Sequence, residues 1–400
     1  MGSSNHPSEP AAPAAGPTPS DAVRLDATGP VTPKPTPRLP HDDEDVAPGL
    51  YPVTSVAEFE AAGEWVFPRS GPRIALGGSR SCDISIPERG LSGTHCILER
   101  RATSIRVYDM HSTNGTYVGG TRIESSWDIR IGDKFSPYPL TLFLMDEVMQ
   151  RNRRTLPEIL GAGFPPSPDA LLTDVVRHAS PVLIIGDEGC GQDRLALAIH
   201  EMSPRREHEA ISIVDIPADR AAQSALIRQA SKPKTTVVLA IPPKKGNPPL
   251  DSQFVSSLYS TSYGVRVIAL AASDEDAEHA LPKQQLHHSY YIRLRPLAFR
   301  SAEIARLLDH LLAARDAGEL RTADLLEENQ EALMKYDWPK NLATLHRVAD
   351  AIVAHEHEGG LRAASRALGI SPSSLHELLD RVGLAAKKVA GTERLSLFRA

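Results

Sequence analysis

The chain has 400 residues, of which 41% are hydrophobic, 24% charged and 5% aromatic. That length suggests two or three domains, with a core large enough to need no disulfide or metal staple. A net charge of -6, from 44 basic and 50 acidic residues, excludes a wholly basic nucleic-acid coat but not a small basic module inside the sum.

Cys82, Cys96 and Cys190 form no CxxC pair. An odd number without that spacing fits a reducing compartment, and no metal site is expected. No apolar run nears the ~20 residues that span a bilayer. The N-terminus lacks a basic region followed by an apolar stretch, so no secretory signal is expected. The expectation is a cytoplasmic protein with no membrane partner.

Residues 1–48 hold 11 of the 33 prolines, interleaved with Ala, Ser, Thr and the acidic run Asp42–Asp45. Such a stretch buries too little apolar surface to offset its chain entropy, so a disordered tail is expected over 1–50. From Tyr51 to about 148 the pattern becomes short strands, among them 73–76, 94–98, 105–108 and 140–144. Turn signals separate them at Gly77-Gly78, Asn114-Gly115, Gly119-Gly120 and Gly132-Asp133. Short strands with Gly-rich turns predict a β-sandwich.

From about 156 the pattern alternates. Runs at 181–185, 236–239 and 265–270 read as buried strands, with helical stretches such as 194–202 between them. This predicts an α/β unit over 156–298 with a parallel sheet covered on both faces. A helical part follows over 299–357. Ile304, Leu307, Leu308, Leu311 and Leu312 make one apolar stripe, and Leu342, Leu345, Val348, Ile352 and Val353 a second; both read as ordinary core. Residues 358–386 predict helix, glycine turn and helix, and 387–400 a basic tail. Residues 360–400 carry seven basic against three acidic residues, a local +4.

Three of these segments carry resemblances. Gly77-Gly-Ser-Arg80-Ser-Cys-Asp83, Ser92-Gly-Thr-His95 and Ser112-Thr113-Asn114-Gly115-Thr116 look in order and spacing like a forkhead-associated (FHA) domain, over about 64–145. The family reads phosphothreonine peptides, which implies a phosphothreonine-containing protein as partner. Phosphate carries roughly -1.5 to -2 charges and three acceptor oxygens. The resemblance implies Ser92 as a donor to them, Asn114 as the contact to the peptide backbone, and Thr113 as their support. Gly77, His95 and Gly115 are implied as structural. The family's phosphate-gripping Arg is here Gly78, and the basic residue after its Ser is Gly93. Arg80 or Arg89 are the substitutes within sequence reach. Asn114-Gly115 alone is also an ordinary turn, but a turn does not account for Ser92 and His95.

Gly186-Asp-Glu-Gly-Cys-Gly191-Gln192-Asp193 stands between a strand and a helix, the setting of a P-loop. With Ile199–Arg205, 265–269, 292–297 and Tyr336–Asn341 it resembles the AAA+ module of sigma-54 enhancer-binding activators, over about 156–357. The Lys that balances phosphate charge is Gln192, and the hydroxyl that holds Mg²⁺ is Asp193. The carboxylate pair is Ala240-Ile241, the polar sensor falls at Ala271-Ala272, and the lid Arg is Ala343. About 20 residues separate Asp215 from Thr236, too few for the family's sigma-contacting loop. A finger Arg has no clear equivalent before Tyr290-Tyr291. The expectation is a pseudo-ATPase and not an enzyme, with no cofactor and with the changed positions arguing against ATP binding.

Residues 361–384 resemble a Fis-type helix-turn-helix. The resemblance implies that Ser373, Ser374, His376 and Arg381 meet DNA, and it implies a homodimer. Glu377 and Asp380 share that helix. A helical hairpin used for packing is the competing reading.

The order FHA, AAA+-like body and DNA binder implies a sigma-54 activator-type transcriptional regulator without ATPase activity. An adaptor of Ser/Thr kinase signalling that reads phosphothreonine and does not bind DNA stays open. An active sigma-54-dependent ATPase ranks last.

Overall fold

The computed structural model describes residues 73–398 apart from 102–103, 162–170, 177, 218, 261–263, 316–319, 359 and 389–394, together with strand backbone at 22–24, 49–52 and 65–66. The Pro-rich segment expected to be disordered lies almost wholly outside the described residues. Its Ala22–Arg24 departs from that expectation, because it pairs antiparallel with Ala210–Ile213. The edge of a sheet offers unpaired N–H and C=O groups to any extended segment nearby.

Two sheets form the predicted sandwich. One runs in the order Ser126–Ile129, Ile105–Asp109, Cys96–Arg100, Arg73–Gly77, Ile84–Ser85. The other runs Trp65–Val66, Gly49–Pro52, Leu142–Met145, Lys134–Pro137, Thr116–Val118, Thr121–Arg122. Alternation decides which side chains meet: Ile74 and Leu76, Cys96 and Leu98, Ile105 and Val107 point inward and are buried.

Helix Glu147–Leu160 leads out of the sandwich. Asp146 caps it by accepting from Met149 N at 2.9 Å. A third sheet follows in the order Ala210–Ile213, Thr236–Ala240, Arg266–Ala271, Val182–Ile185, Tyr290–Arg293, these five all parallel. Its central strands are buried along their length on both faces, as the continuous apolar runs required. Helix Arg220–Ala230 fills the crossover from Ala210–Ile213 to Thr236–Ala240.

The helical part is built on Ile304–Ala313, Glu327–Lys335 and Asn341–Glu358, and the stripes predicted on the first and third of these face the core. Helices Leu361–Ala367 and Pro372–Val382 pack on it through Ala364, Leu375, Leu378, Leu379 and Val382.

Two polar knots join these parts. Glu158, buried in the first helix, accepts from Arg194 at 2.9 and 3.2 Å and pairs with His346 at 2.6 Å. Burial pushes its pKa up, but His346 and Arg194 outweigh burial and hold it at about 2. Arg194 follows the P-loop and His346 lies on Asn341–Glu358, so one carboxylate fastens three helices.

The second knot is at the C-terminus. The stretch expected as a basic tail turns back, and Ser396, Leu397 and Phe398 are buried. Fully buried Asn329 donates to the carbonyls of Ala385 at 3.0 Å and Leu397 at 2.9 Å, and accepts from Ala385 N at 2.8 Å. Glu356 accepts from Leu397 N at 2.9 Å and Ser396 Oγ at 2.9 Å. The +4 count could not show this, because it is the apolar residues Leu397 and Phe398 that bring the tail back.

Asn329→Ala removes three side-chain hydrogen bonds to the backbone of Ala385 and Leu397, leaving Leu397 O with its bond from Leu326 N. It should lower stability by roughly 2–4 kcal/mol in a denaturant melt and speed amide exchange over 372–388. Glu158 has a folded pKa below its unfolded one, so its contribution is full above about pH 4.5 and is lost as pH falls towards 2. Glu158→Gln should therefore lower stability at pH 7 by on the order of 3 kcal/mol and flatten the acid limb between pH 5 and 2, roughly, read by urea melts.

Candidate functional site

The FHA loops converge at one end of the sandwich. Strand Arg73–Gly77 ends where a Cβ on Gly77 would lie 2.2 Å from the Gly93 carbonyl, so only glycine fits. The following turn is fixed to the 92–93 segment by Gly78 N to Ser92 O at 2.9 Å, Ser79 N to Gly93 O at 3.0 Å and Cys82 Sγ to Gly93 O at 3.1 Å. Arg80 is exposed in that turn, beside Ser92 and Gly93. Arg89 is exposed as well.

His95 braces the loops from inside. Its Nδ1 accepts from Ser92 N at 3.2 Å and its Nε2 donates to Gly115 O at 3.2 Å. The ring is fully buried, and burial lowers its pKa, which keeps it neutral and in this tautomer. Ser92 Oγ accepts from Thr113 N at 3.0 Å and lies 3.4 Å from Thr113 Oγ1. Asn114 Nδ2 donates to Gly90 O at 2.8 Å. Ser92, Thr113 and Asn114 thus share one surface. Gly93 is exposed and would leave an added Cβ in open space.

Two residues here were not singled out in the sequence. Asp109 accepts from Ser112 Oγ at 2.5 Å, Thr116 Oγ1 at 2.7 Å and Ser112 N at 3.1 Å, and so shapes the 112–116 loop. Arg122 lies over Gly115: a Cβ there would be 2.5 Å from Arg122 Nε. It places a guanidinium one residue from Asn114. A three-residue spacing from Asp109 to Ser112 is an Asx-type turn signal that could have been read. The Arg122 contact depends on strand pairing between Thr116–Val118 and Thr121–Arg122.

The second site lies at the carboxyl ends of the parallel strands, where such sheets place their ligands. Gly186, Gly189 and Gly191 form the loop, with φ of 79° at Gly189 and 95° at Gly191. Helix Gln192–Met202 starts at Gln192. The Gln192 amide donates to Gly186 O at 2.7 Å and to Ala271 O at 2.8 Å. Both of its N–H donors are spent on the protein. Asp193 is exposed on the first turn of the helix, where a negative charge suits the dipole.

The strand ends at Ala240 and Ala271 carry no charge, and the strand on the other side ends at Arg293, which is paired with Asp274 at 2.5 Å. Ala240 ends its strand, Ile241 is buried and donates its N–H to Leu270 O at 2.8 Å, and Ala271 is buried. Ser273 beyond them caps helix Asp274–Ala280. The lid sits directly on the loop. Asn341 donates to Glu188 O at 3.0 Å and accepts from Leu297 N at 2.8 Å, and Lys340 pairs with Glu188 at 3.2 Å. A Cβ on Gly189 would lie 2.1 Å from Lys340 O and 3.3 Å from the Ala343 methyl. Ala343 therefore faces the loop, and in place of a cation it presents a methyl group.

At the C-terminal helices, Gly369 takes φ 68° and Ser371 caps Pro372–Val382 by accepting from Ser374 N at 3.0 Å. Ser373, Ser374, His376, Glu377, Asp380 and Arg381 are all exposed. Arg381 is ion-paired with Glu377. Exposed Arg362 and Arg366 lie on the preceding helix. Among the described residues no His, Cys, Asp and Glu cluster could hold a metal, and no helix is long and apolar enough to cross a membrane.

Comparison with known proteins agrees with this division. The FHA domain family model matches residues 74–136, and the sigma-54 interaction domain model matches residues 169–226. The phenol regulator MopR of Acinetobacter guillouiae is 25% identical over 259 residues, which cover 56% of this chain and 45% of MopR. The chain thus spans less than half the length of that relative. NtrX from Brucella abortus, solved in complex with ATP, superposes on 60% of this chain and 68% of its own, at 16% identity and TM-score 0.35. The FHA domain of the CT664 protein from Chlamydia trachomatis covers 26% of this chain and 98% of its own, at 18% identity and TM-score 0.22. The chain carries an FHA domain joined to an AAA+-like module of the sigma-54 interaction family.

Proposed function

We propose that this protein is a transcriptional regulator of the sigma-54 activator type that reads phosphothreonine through its FHA domain and binds DNA through its C-terminal helices, without hydrolysing ATP. The Gln192 amide, held between the Gly186 and Ala271 carbonyls, carries the pseudo-ATPase part of the reading. Phosphoryl transfer needs a cation on the phosphates and a carboxylate on Mg²⁺. The loop offers a neutral amide, and the strand end offers Ala240 and Ile241. The crossover helix Arg220–Ala230 occupies the stretch that would have to hold a sigma-contacting loop. Nucleotide-driven remodelling of polymerase is not supported by these residues.

On the FHA surface, Ser92 Oγ and the Asn114 amide stand ready to donate to a phosphorylated peptide, with Arg80 and Arg122 as neighbouring cations. Charge-assisted contacts are the strong part of phosphate recognition. Cations displaced from the family's positions fit binding weaker than the family norm. A second reading, the adaptor that does not bind DNA, is favoured by one observation: the exposed face of Pro372–Val382 carries Glu377 and Asp380, and its Arg381 is tied to Glu377.

Phosphate release from the full chain with ATP and Mg²⁺ should not exceed the blank, and turnover above it overturns the pseudo-ATPase reading. Fluorescence titration with phosphothreonine peptide libraries should show micromolar binding that falls at least ~10-fold in Asn114→Ala; no binding at high micromolar peptide sinks the phosphothreonine reading. A gel shift at low salt should retard DNA. The double variant Arg362→Ala, Arg366→Ala should weaken it on all sequences and reduce the slope of log K against log salt by about 2. A negative gel shift at low salt selects the adaptor.

A further inference from the structure

The parallel sheet has a second pole. Helix Gln192–Met202 starts at the P-loop and so delivers Ser203 and Arg205 to the amino ends of the strands. Arg266 is the first residue of Arg266–Ala271, opposite Thr236. Lys234 precedes Thr236–Ala240, and His178 precedes Val182–Ile185. These five residues line one cavity of about 260 Å3.

The cavity holds an electrostatic imbalance. Arg266 is 1% exposed, yet its guanidinium meets only neutral partners: Nη2 donates to Val175 O and Nη1 to Val176 O. Its Nε is buried with no hydrogen-bond partner. Arg205 donates to Gly264 O at 2.5 Å. Among the described residues neither arginine forms an ion pair, and no carboxylate lines the cavity. Nearby acids are engaged elsewhere: Glu209 with Lys232 at 2.7 Å, and Glu201 with Asn152 at 2.9 Å. Burial, and then repulsion from Arg205, pushes the Arg266 pKa down to about 10. Burial also lowers that of Arg205. A buried charge without a counter-ion is expensive.

We propose that this cavity binds a small phosphate oxyanion, with Arg266 as the buried anchor and Arg205 and Lys234 closing on it from the rim. The Arg266 side chain is shielded from solvent, so it attracts the ion through its uncompensated charge while Arg205 and Lys234 make the direct contacts. The Arg205 guanidinium fork suits a tetrahedral oxyanion, and Lys234 adds a point charge from solvent. The cavity is smaller than an ordinary drug-sized pocket. It has room for inorganic phosphate or a phosphate monoester with a short tail. The degenerate nucleotide loop is at the opposite end of the same strands, so the two sites are separate.

The test is calorimetric titration of the full chain with inorganic phosphate and, in a second arm, with glycerol phosphate. Ser92→Ala serves as the control for phosphate bound on the FHA surface. Wild type and Ser92→Ala should bind one phosphate equally. Arg205→Gln and Lys234→Gln should each weaken it by ~10-fold or more. Lys234 is exposed, so its variant tests the site even where Arg205→Gln disturbs the Gly264 contact. Tighter binding of glycerol phosphate identifies a monoester, and equal binding identifies the free ion. Absence of heat at tens of millimolar phosphate, or loss of binding in Ser92→Ala with retention in Lys234→Gln, overturns the proposal.

Discussion

Asn341 makes the contact on which the body of this protein depends. Its side chain accepts from Leu297 N and donates to Glu188 O, joining the start of the helical part, the end of the α/β part and the P-loop. Its backbone takes φ 46°, a conformation Asn tolerates better than most residues. That turn brings Lys340 O against Gly189 and Ala343 against the loop. In a catalytic module such a closure surrounds a nucleotide. Here loop and lid are joined directly by Asn341 and Lys340, and the Gln192 amide is satisfied by two carbonyls.

The charge-poor strand ends and the cation-rich opposite pole form a pair. Catalysis of phosphoryl transfer is a matter of placed charge, and Gln192, Ala240, Ile241, Ala271 and Ala343 carry none, while Arg293 and Lys340 at that end are paired with Asp274 and Glu188. Arg205, Lys234 and Arg266 leave an excess at the amino ends. The sheet is intact in both regions because its stability comes from apolar strands such as Val182–Ile185 and Arg266–Ala271, whose packing does not depend on either set.

Much of the layout was readable in the chain because it rests on local period. The strands near 73–76, 105–108, 181–185 and 236–239, and the stripes from Ile304 and Leu342, are consequences of alternation or of 3.6-residue spacing. Gln192 and Ala240-Ile241 were readable because their positions are counted from glycines and strands. Contacts between distant segments were not. Asp109 is an unremarkable strand residue until the 112–116 loop folds over it. Glu158 reads as one acid among several on a surface helix, yet it is buried by Arg194 and His346, 36 and 188 residues away. Strand Ala210–Ile213 is short and preceded by polar residues, and it gains its place from pairing with Thr236–Ala240 on one side and Ala22–Arg24 on the other.

Helix Asn341–Glu358 has 18 residues, or about 27 Å of length. Its first residue grips the P-loop, His346 grips Glu158, and Glu356 near its far end grips the returning chain at Ser396 and Leu397. It is therefore a strut, fixed at both ends and braced near one of them. A tilt of about 5° at the loop end would displace the far end by roughly 2 Å, and Pro372–Val382, pinned there, would move with it. The geometry makes the C-terminal helices an indicator needle for the state of the P-loop.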